Sequence, residues 1–380
     1  MAIFFSIFFT VYSALNFYIF FRGWQALEGS PQLKIPYLIL FIIFSFSYLA
    51  AKLLEKILTP LFYDILLGIG SFWFAFMVYF LLAVLFIDIA RLFLSIFHFM
   101  PAFVNQNYIL TKQIIALTVV IIVSIVVLAG YINTQILSVK TLNLDLRKGS
   151  SNLNELNAVL ISDIHLSPIN NGRHLKRIVQ KVNELNPVII FIAGDLVDDR
   201  AETLINRNIG SSLLDLKSKF GSYAITGNHE FINGIEGCEK YIKNFGINLL
   251  RDSSIKIGNS FYIIGRDDRA KKQFTKQDRK SLADLMIGVD KSLPIILMDH
   301  TPFGLDEAEK NNIDLQLSGH THHGQMFPAN LITKMIYEMS WGYLKKGSTQ
   351  YYVSCGAGTW GPPVKIGSSS EIVNLKIKFI

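Results

Sequence analysis

Residues 188–198 read Val188-Ile-Ile-Phe-Ile-Ala-Gly-Asp-Leu-Val-Asp198. Five consecutive apolar residues suit a strand buried on both faces. Gly194 lets the chain leave that strand sharply, and Asp195 and Asp198 follow at once. The same grammar recurs on either side. Ala158–Ile161 runs into Ser162-Asp163-Ile164-His165, and Ser222–Ile225 into Gly227-Asn228-His229-Glu230. Ile295–Met298 runs into Asp299-His300-Thr301-Pro302, and Leu315–Leu317 into Gly319-His320-Thr321-His322-His323. Helical patterns such as Leu175–Leu185 lie between, with further strand-like runs at Phe261–Ile264, Gln350–Val353 and Ile372–Phe379. This alternation predicts an α/β domain with largely buried sheets. Its polar residues gather at the C-terminal ends of strands, where α/β sheets open their ligand crevices.

Six of the eight histidines fall in these strand-end segments, a mixture that suits metal chemistry. Two divalent ions about 3.5–4 Å apart need a bridging carboxylate and flanking ligands. Asp195 is the natural bridge, and the Asn228 side-chain oxygen completes one ion without adding a second negative charge. Nitrogen and oxygen ligation without thiolates suits Mn, Fe or Zn. One Asp-x-His alone carries little weight. For all five segments to be merely structural, several buried polar residues would each need a hydrogen-bond partner of its own.

At this point the sequence resembles the calcineurin-like metallophosphoesterase superfamily over roughly 155–375. The resemblance implies a four-layer α/β/β/α sandwich with two divalent metal ions, Mn favoured over Fe or Zn. By motif, Asp163, His165, Asp195 and His322 hold one ion, while Asp195, Asn228, His300 and His320 hold the other. His229 is the implied catalytic residue, facing the phosphate or leaving group together with Asn228. The tail Gly356–Gly367, followed by Glu371, is similar to a bacterial subgroup of membrane-associated or exported members, which often has Arg where Lys365 stands.

The preceding residues have a different character. Of the 380 residues 51% are hydrophobic and 17% charged, against about 25% charged in typical soluble domains; mean hydropathy is +0.37. Met1–Phe21, Ile35–Ala51, Ile65–Ile87 and Gln113–Val139 carry no charge. A bilayer core of about 30 Å takes about 20 helical residues. About four transmembrane helices are therefore expected, near 2–21, 35–54, 65–87 and 114–134. The first has neither the basic start nor the cleavage site of a signal peptide. The expected organisation is an all-α transmembrane domain over 1–139, a linker over 140–154 and the metallophosphoesterase domain over 155–380. The apolar stretch Ala329–Leu344, directly after the Gly-His-Thr-His segment, suits an adaptable apolar contact.

Net charge is +7, with six basic and four acidic residues in 1–139 leaving 30 and 25 thereafter. No basic stripe stands out, so nucleic acid is not an expected partner. Cys238 and Cys355 form neither a CxxC motif nor a disulfide framework. Asp198 and Asp199 are expected to cap a helix or face water, Glu230 to brace its turn, and His174 and His323 to lie outside the ligand set. The leading function is a multi-pass, membrane-anchored phosphoesterase. It would use metal-activated water to cleave phosphodiesters, pyrophosphates or phosphomonoesters, lipid-linked ones among them. The alternatives are a metal-binding regulatory or sensor protein without turnover, and a transporter with a regulatory domain; the near absence of intramembrane charge disfavours the latter. The lysine and arginine distribution is nearly even across the membrane. The charge-free N-terminus and the subgroup's frequent export place the catalytic domain outside the cytoplasm of a bacterial cell membrane.

Overall fold

The computed structural model describes residues 2–380 except 100, 148 and 171; the side chains of residues 2–5 and 105 also lie outside the description. The chain forms two units, 1–131 and 132–380.

The first unit contains α1 (Ala2–Ala26), α2 (Lys34–Leu53), α3 (Pro60–Ile96) and α4 (Tyr108–Thr134). Pro60 opens α3 in its first turn, where a missing N–H breaks no helical bond. Among the described residues, Pro31–Leu53, Pro60–Ile96 and Tyr108–Thr134 are long and apolar enough to cross a membrane. The first expected span starts within residues 1–5 and lies partly outside the described side chains. Packing inside the unit is aromatic: Phe41 and Trp73 meet edge to face at 5.0 Å, and Trp73 Nε1 donates to Asn16 Oδ1 at 2.9 Å. Outward-facing Ile, Leu and Phe side chains stay widely exposed, Phe86 by 73%, as suits a surface whose solvent is lipid.

The second unit holds β1 (Leu137–Leu146), β2 (Glu155–Ile161), β3 (Ile189–Ile192), β4 (Ser222–Ala224), β5 (Asn248–Leu249) and β6 (Ser253–Ile257). These are followed by β7 (Phe261–Gly265), β8 (Ile295–Met298), β9 (Leu315–Ser318), β10 (Gly342–Lys346), β11 (Thr349–Val353) and β12 (Ser370–Phe379). Among the described residues they form two six-stranded sheets, ordered β1-β12-β2-β3-β4-β5 and β10-β11-β9-β8-β7-β6. Period-two alternation decides which side chains face the other sheet. Ala158 and Leu160 join Phe191, Ile263, Leu317 and Tyr352 in the central core. Val159 and Ile161 turn the other way, under the helices Gly172–Glu184 and Ile235–Lys243. The second sheet's outer face is covered by Leu282–Leu285 and Asp306–Lys310. Helices thus cover both outer faces of the paired sheets. Cys238 and Cys355 are buried free thiols.

One expected boundary moves. Residues 140–154 are not simply a linker, because β1 occupies 137–146 and pairs in parallel with β12 from Leu137↔Ser370 to Leu146↔Phe379. Only Gln135 and Ile136 separate α4 from this strand. The alternating apolar residues Leu142, Leu144 and Leu146 supply its buried face, with Leu144 and Leu146 in the central core.

Candidate metal centre

Three parallel neighbours, β2, β3 and β4, deliver Asp163, Asp195 and Asn228 from their C-terminal ends. The second sheet's parallel pair, β8 and β9, delivers His300 and His320. The exits are sharp. Asp163, His165, Asp195, His320 and His322 all have positive φ, between 45° and 71°, a region that side chains with a Cβ enter rarely and at a cost. Glycines make room between them. Gly194 has φ 89°, and a Cβ at Gly227 would lie 2.1 Å from Asp195 Oδ1.

The seven expected ligands converge. Asp163, His165 and His322 form one cluster and Asp195, His300 and His320 another. A third joins His165, Asp195 and His229, the donor atoms in each lying within 4.8 Å of one another. Asn228 Oδ1 lies 2.8 Å from His320 Nδ1. His300 Nδ1 donates to the Ala193 carbonyl at 2.7 Å, which fixes the ring with Nε2 turned toward Asp195. That Nε2 makes no hydrogen bond although it is buried, and it lies 3.1 Å from Asp195 Oδ2. His165 Nε2 and His322 Nε2 are 2.9 Å apart. Burial, with His165 beside it, pushes the His322 imidazole well below its ordinary pKa, which leaves a neutral ligand. Burial opposes ionisation of Asp195, but His300 and His229 outweigh it and hold the carboxyl well below its usual range. A neutral imidazole at His322, an ionised carboxylate at Asp195 and an orphaned buried nitrogen at His300 suit divalent cations.

Asp198 has a role that its sequence position did not suggest. Rather than capping a helix, it stands between two rings: Oδ1 pairs with His229 Nδ1, and Oδ2 lies 3.6 Å from His165 Nδ1. The Asp198 backbone N–H bonds the Leu166 carbonyl at 3.0 Å, which sets the residue beside the His165 exit. Burial opposes charge on His229, but Asp195 and Asp198 raise it to about 9. Glu230 braces the turn as expected: it accepts from the backbone N–H groups of Gly227 at 2.7 Å, Val197 at 2.9 Å and Asp195 at 3.2 Å.

His174 is half-buried and bonds the Ala357 carbonyl at 2.9 Å, apart from the ligands. His323 pairs with Ser340 Oγ at 2.9 Å and joins no ligand cluster. Lys365 is fully buried, and its Nζ donates to the carbonyls of Cys355, Gly356 and Ser369 at 2.8–3.0 Å. It fastens a loop whose Ala357 and Gly358 N–H groups bond the Ser162 and Asp163 carbonyls. Two aromatics stand beside the site histidines. Trp360, 56% exposed, lies 6.2 Å from the His229 ring, and Tyr337 lies 6.2 Å from the His320 ring. The Ala329–Leu344 stretch divides. Met339 is core, and Trp341 Nε1 donates to Glu371 at 3.1 Å. The helix Ala329–Ile336 buries none of its side chains and exposes Leu331, Ile332, Met335 and Ile336.

Strand-end carboxylates and imidazoles on paired sheets define a candidate metal-binding site in an α/β fold. Residues 156–324 match the calcineurin-like phosphoesterase family. An uncharacterised metallophosphoesterase of Aquifex aeolicus is 30% identical over 226 residues, 59% of this chain and 85% of that protein. The chain belongs to this family. It is also 33% identical over 270 residues to a zebrafish (Danio rerio) transmembrane protein with a metallophosphoesterase domain, covering 68% of this chain and 61% of that one. An uncharacterised metallophosphoesterase of Helicobacter pylori strain J99 is 34% identical over 227 residues, 59% of this chain and 60% of that protein. The chain thus spans about three fifths of the length of these last two relatives.

Proposed function

We propose that this protein is a membrane-anchored phosphoesterase that holds two divalent ions, Mn²⁺ favoured, and hydrolyses a phosphodiester or related phosphate ester. The observation that carries this reading is the overlap of the three donor clusters at Asp195 and His165, beside a histidine that is not needed as a ligand. The ions would activate water and offset charge on the phosphoryl oxygens. The protein's own residues supply the rest. Asn228 and His229 orient the substrate phosphate, and His229, held by Asp198, donates a proton to the leaving oxygen.

A lipid-linked ester is the favoured substrate, with the catalytic unit outside the cytoplasm. The lipid-linked substrate is supported by the unburied apolar helix Ala329–Ile336 directly after the His320–His322 loop and the two-residue connection between α4 and β1. The placement is supported by the charge-free N-terminal stretch.

The test is hydrolysis of a chromogenic aryl phosphodiester by the full-length protein in detergent, with Mn²⁺ or with chelator. Turnover that requires Mn²⁺ and disappears in Asp195→Asn is expected. Metal binding without turnover would favour the regulatory alternative. Equal efficiency on lipid-linked and short-chain versions of one headgroup would remove the lipid-linked substrate. Labelling of an introduced Cys near Lys140 by an impermeant thiol reagent in intact cells tests the sidedness.

A further inference from the structure

The membrane unit holds a charged constellation that hydrolysis does not use. A cavity of about 590 Å³ lies between its helices, within the roughly 300–1,000 Å³ common for ligand sites. Ile19, Phe41, Trp73, Phe80, Val84 and Val120 supply apolar wall. Arg22, Asp88, Arg91 and Lys112 also line it, so cationic side chains outnumber carboxylates three to one among the described lining residues. The single carboxylate is already engaged: Asp88 pairs with Arg22 Nη2 at 2.6 Å and accepts from the Tyr18 hydroxyl at 2.5 Å. Arg91 remains 4.0 Å from Asp88, with its side chain half exposed. Arg22 Nε is buried without a hydrogen-bond partner, a costly state for a donor. Lys112 pairs with Glu28.

We propose that this cavity binds an anionic phospholipid, its acyl chain along the apolar wall and its phosphate at Arg91 and Arg22 Nε. Two features exclude the simpler occupants. Water would lack partners along the apolar wall, and a free inorganic anion would leave that wall uncovered. Charge selects the headgroup: the surplus guanidinium attracts a phosphate, and basic pockets between membrane helices recognise anionic headgroups. A zwitterionic choline headgroup would bring a cation beside Arg91. The site is independent of the metal centre, so failure of the phosphoesterase reading leaves it standing.

The experiment is native mass spectrometry of the full-length protein in detergent, titrated with phosphatidylglycerol or with phosphatidylcholine of the same acyl chains. Retention of phosphatidylglycerol about tenfold above phosphatidylcholine is expected, equivalent to about 1.4 kcal/mol. Arg91→Gln should remove that preference and Arg91→Lys should restore it. Val84→Trp, which fills the cavity, should reduce retention of both lipids about tenfold. Unchanged elution volume and helicity establish that each variant is folded. Equal retention of the two lipids by the native protein would overturn the proposal. So would undiminished phosphatidylglycerol retention in folded Arg91→Gln and Val84→Trp.

Discussion

His165 Nε2 and His322 Nε2 face each other across 2.9 Å, although 157 residues separate them in the chain. Two imidazole nitrogens this close either share one proton or face a common cation, and the Asp163 and Asp195 carboxylates beside them suit the cation. Chelation should therefore destabilise the protein, and metal at 100 times its Kd should restore about 2.7 kcal/mol. Thermal melting across a Mn²⁺ titration measures this. Elemental analysis of His322→Ala should show about one ion lost per chain, and unchanged stoichiometry would remove His322 from the ligand set.

Asp198→Asn weakens the hold on both His229 and His165. Replacing such an outer partner costs about 10–100-fold in activity or metal affinity. His229→Asn should keep its metal and lose about 10²–10⁴-fold in kcat on an ester with a poor leaving group, with a smaller loss on an activated aryl ester. Equal losses on both esters would refute proton donation by His229.

Trp360 stands beside His229 with more than half its surface free. An aromatic contact to substrate contributes about 0.5–1.5 kcal/mol, so Trp360→Ala should raise KM about two- to tenfold and leave kcat nearly unchanged. A fall in kcat at constant KM would assign Trp360 to the chemistry instead.

Lys365→Met removes three buried donor contacts to carbonyls. Hydrogen bonds to charged groups are worth about 1.5–3 kcal/mol each, and the carbonyls left behind stay unsatisfied. Denaturant unfolding should show a loss of at least about 2 kcal/mol, with weakened metal binding because the loop leans on Asp163.

Asp252 accepts from Lys271 Nζ at 2.7 Å and from the Asp267 N–H at 3.0 Å. Burial opposes its charge, yet these donors win and lower its pKa. A lowered carboxyl pKa adds stability that is present above the unfolded value of 3.8 and fades as pH falls through the folded one. Asp252→Asn should cost about 1–3 kcal/mol at pH 7 and progressively less in acid. Urea midpoints from pH 7 to pH 3 check this, and a constant difference would show that ionisation plays no part.

Strands β2, β3, β8 and β9 and the seven side chains that converge beside them were legible because each is a local pattern: an apolar run, an exit, then donor side chains. Strand β1 was not. Its alternation at Leu142, Leu144 and Leu146 is plain, but the uncharged run 113–139 carries on into its first residues, and Lys140 looked like the end of a membrane segment. Asp198, Trp360 and Lys365 depend on where distant loops return. No spacing in the sequence states that Trp360 arrives at His229, 131 residues earlier.

The parallel pairing of β1 with β12 also sets an order of events at the ribosome. β1 emerges directly behind the last membrane helix, yet its only strand partner among the described residues lies 233 positions downstream, Leu137 opposite Ser370. At about 5–20 residues per second, that strand waits roughly 12–47 s with the backbone N–H and C=O groups of both its edges unpaired by any strand. During this interval it is open to chaperones, proteases and the edge strands of other nascent chains, even after β2, β3 and β4 have been made. A nonsense mutation just before Ser370 would make that interval permanent, producing a fully inserted membrane anchor that carries an unclosed sheet.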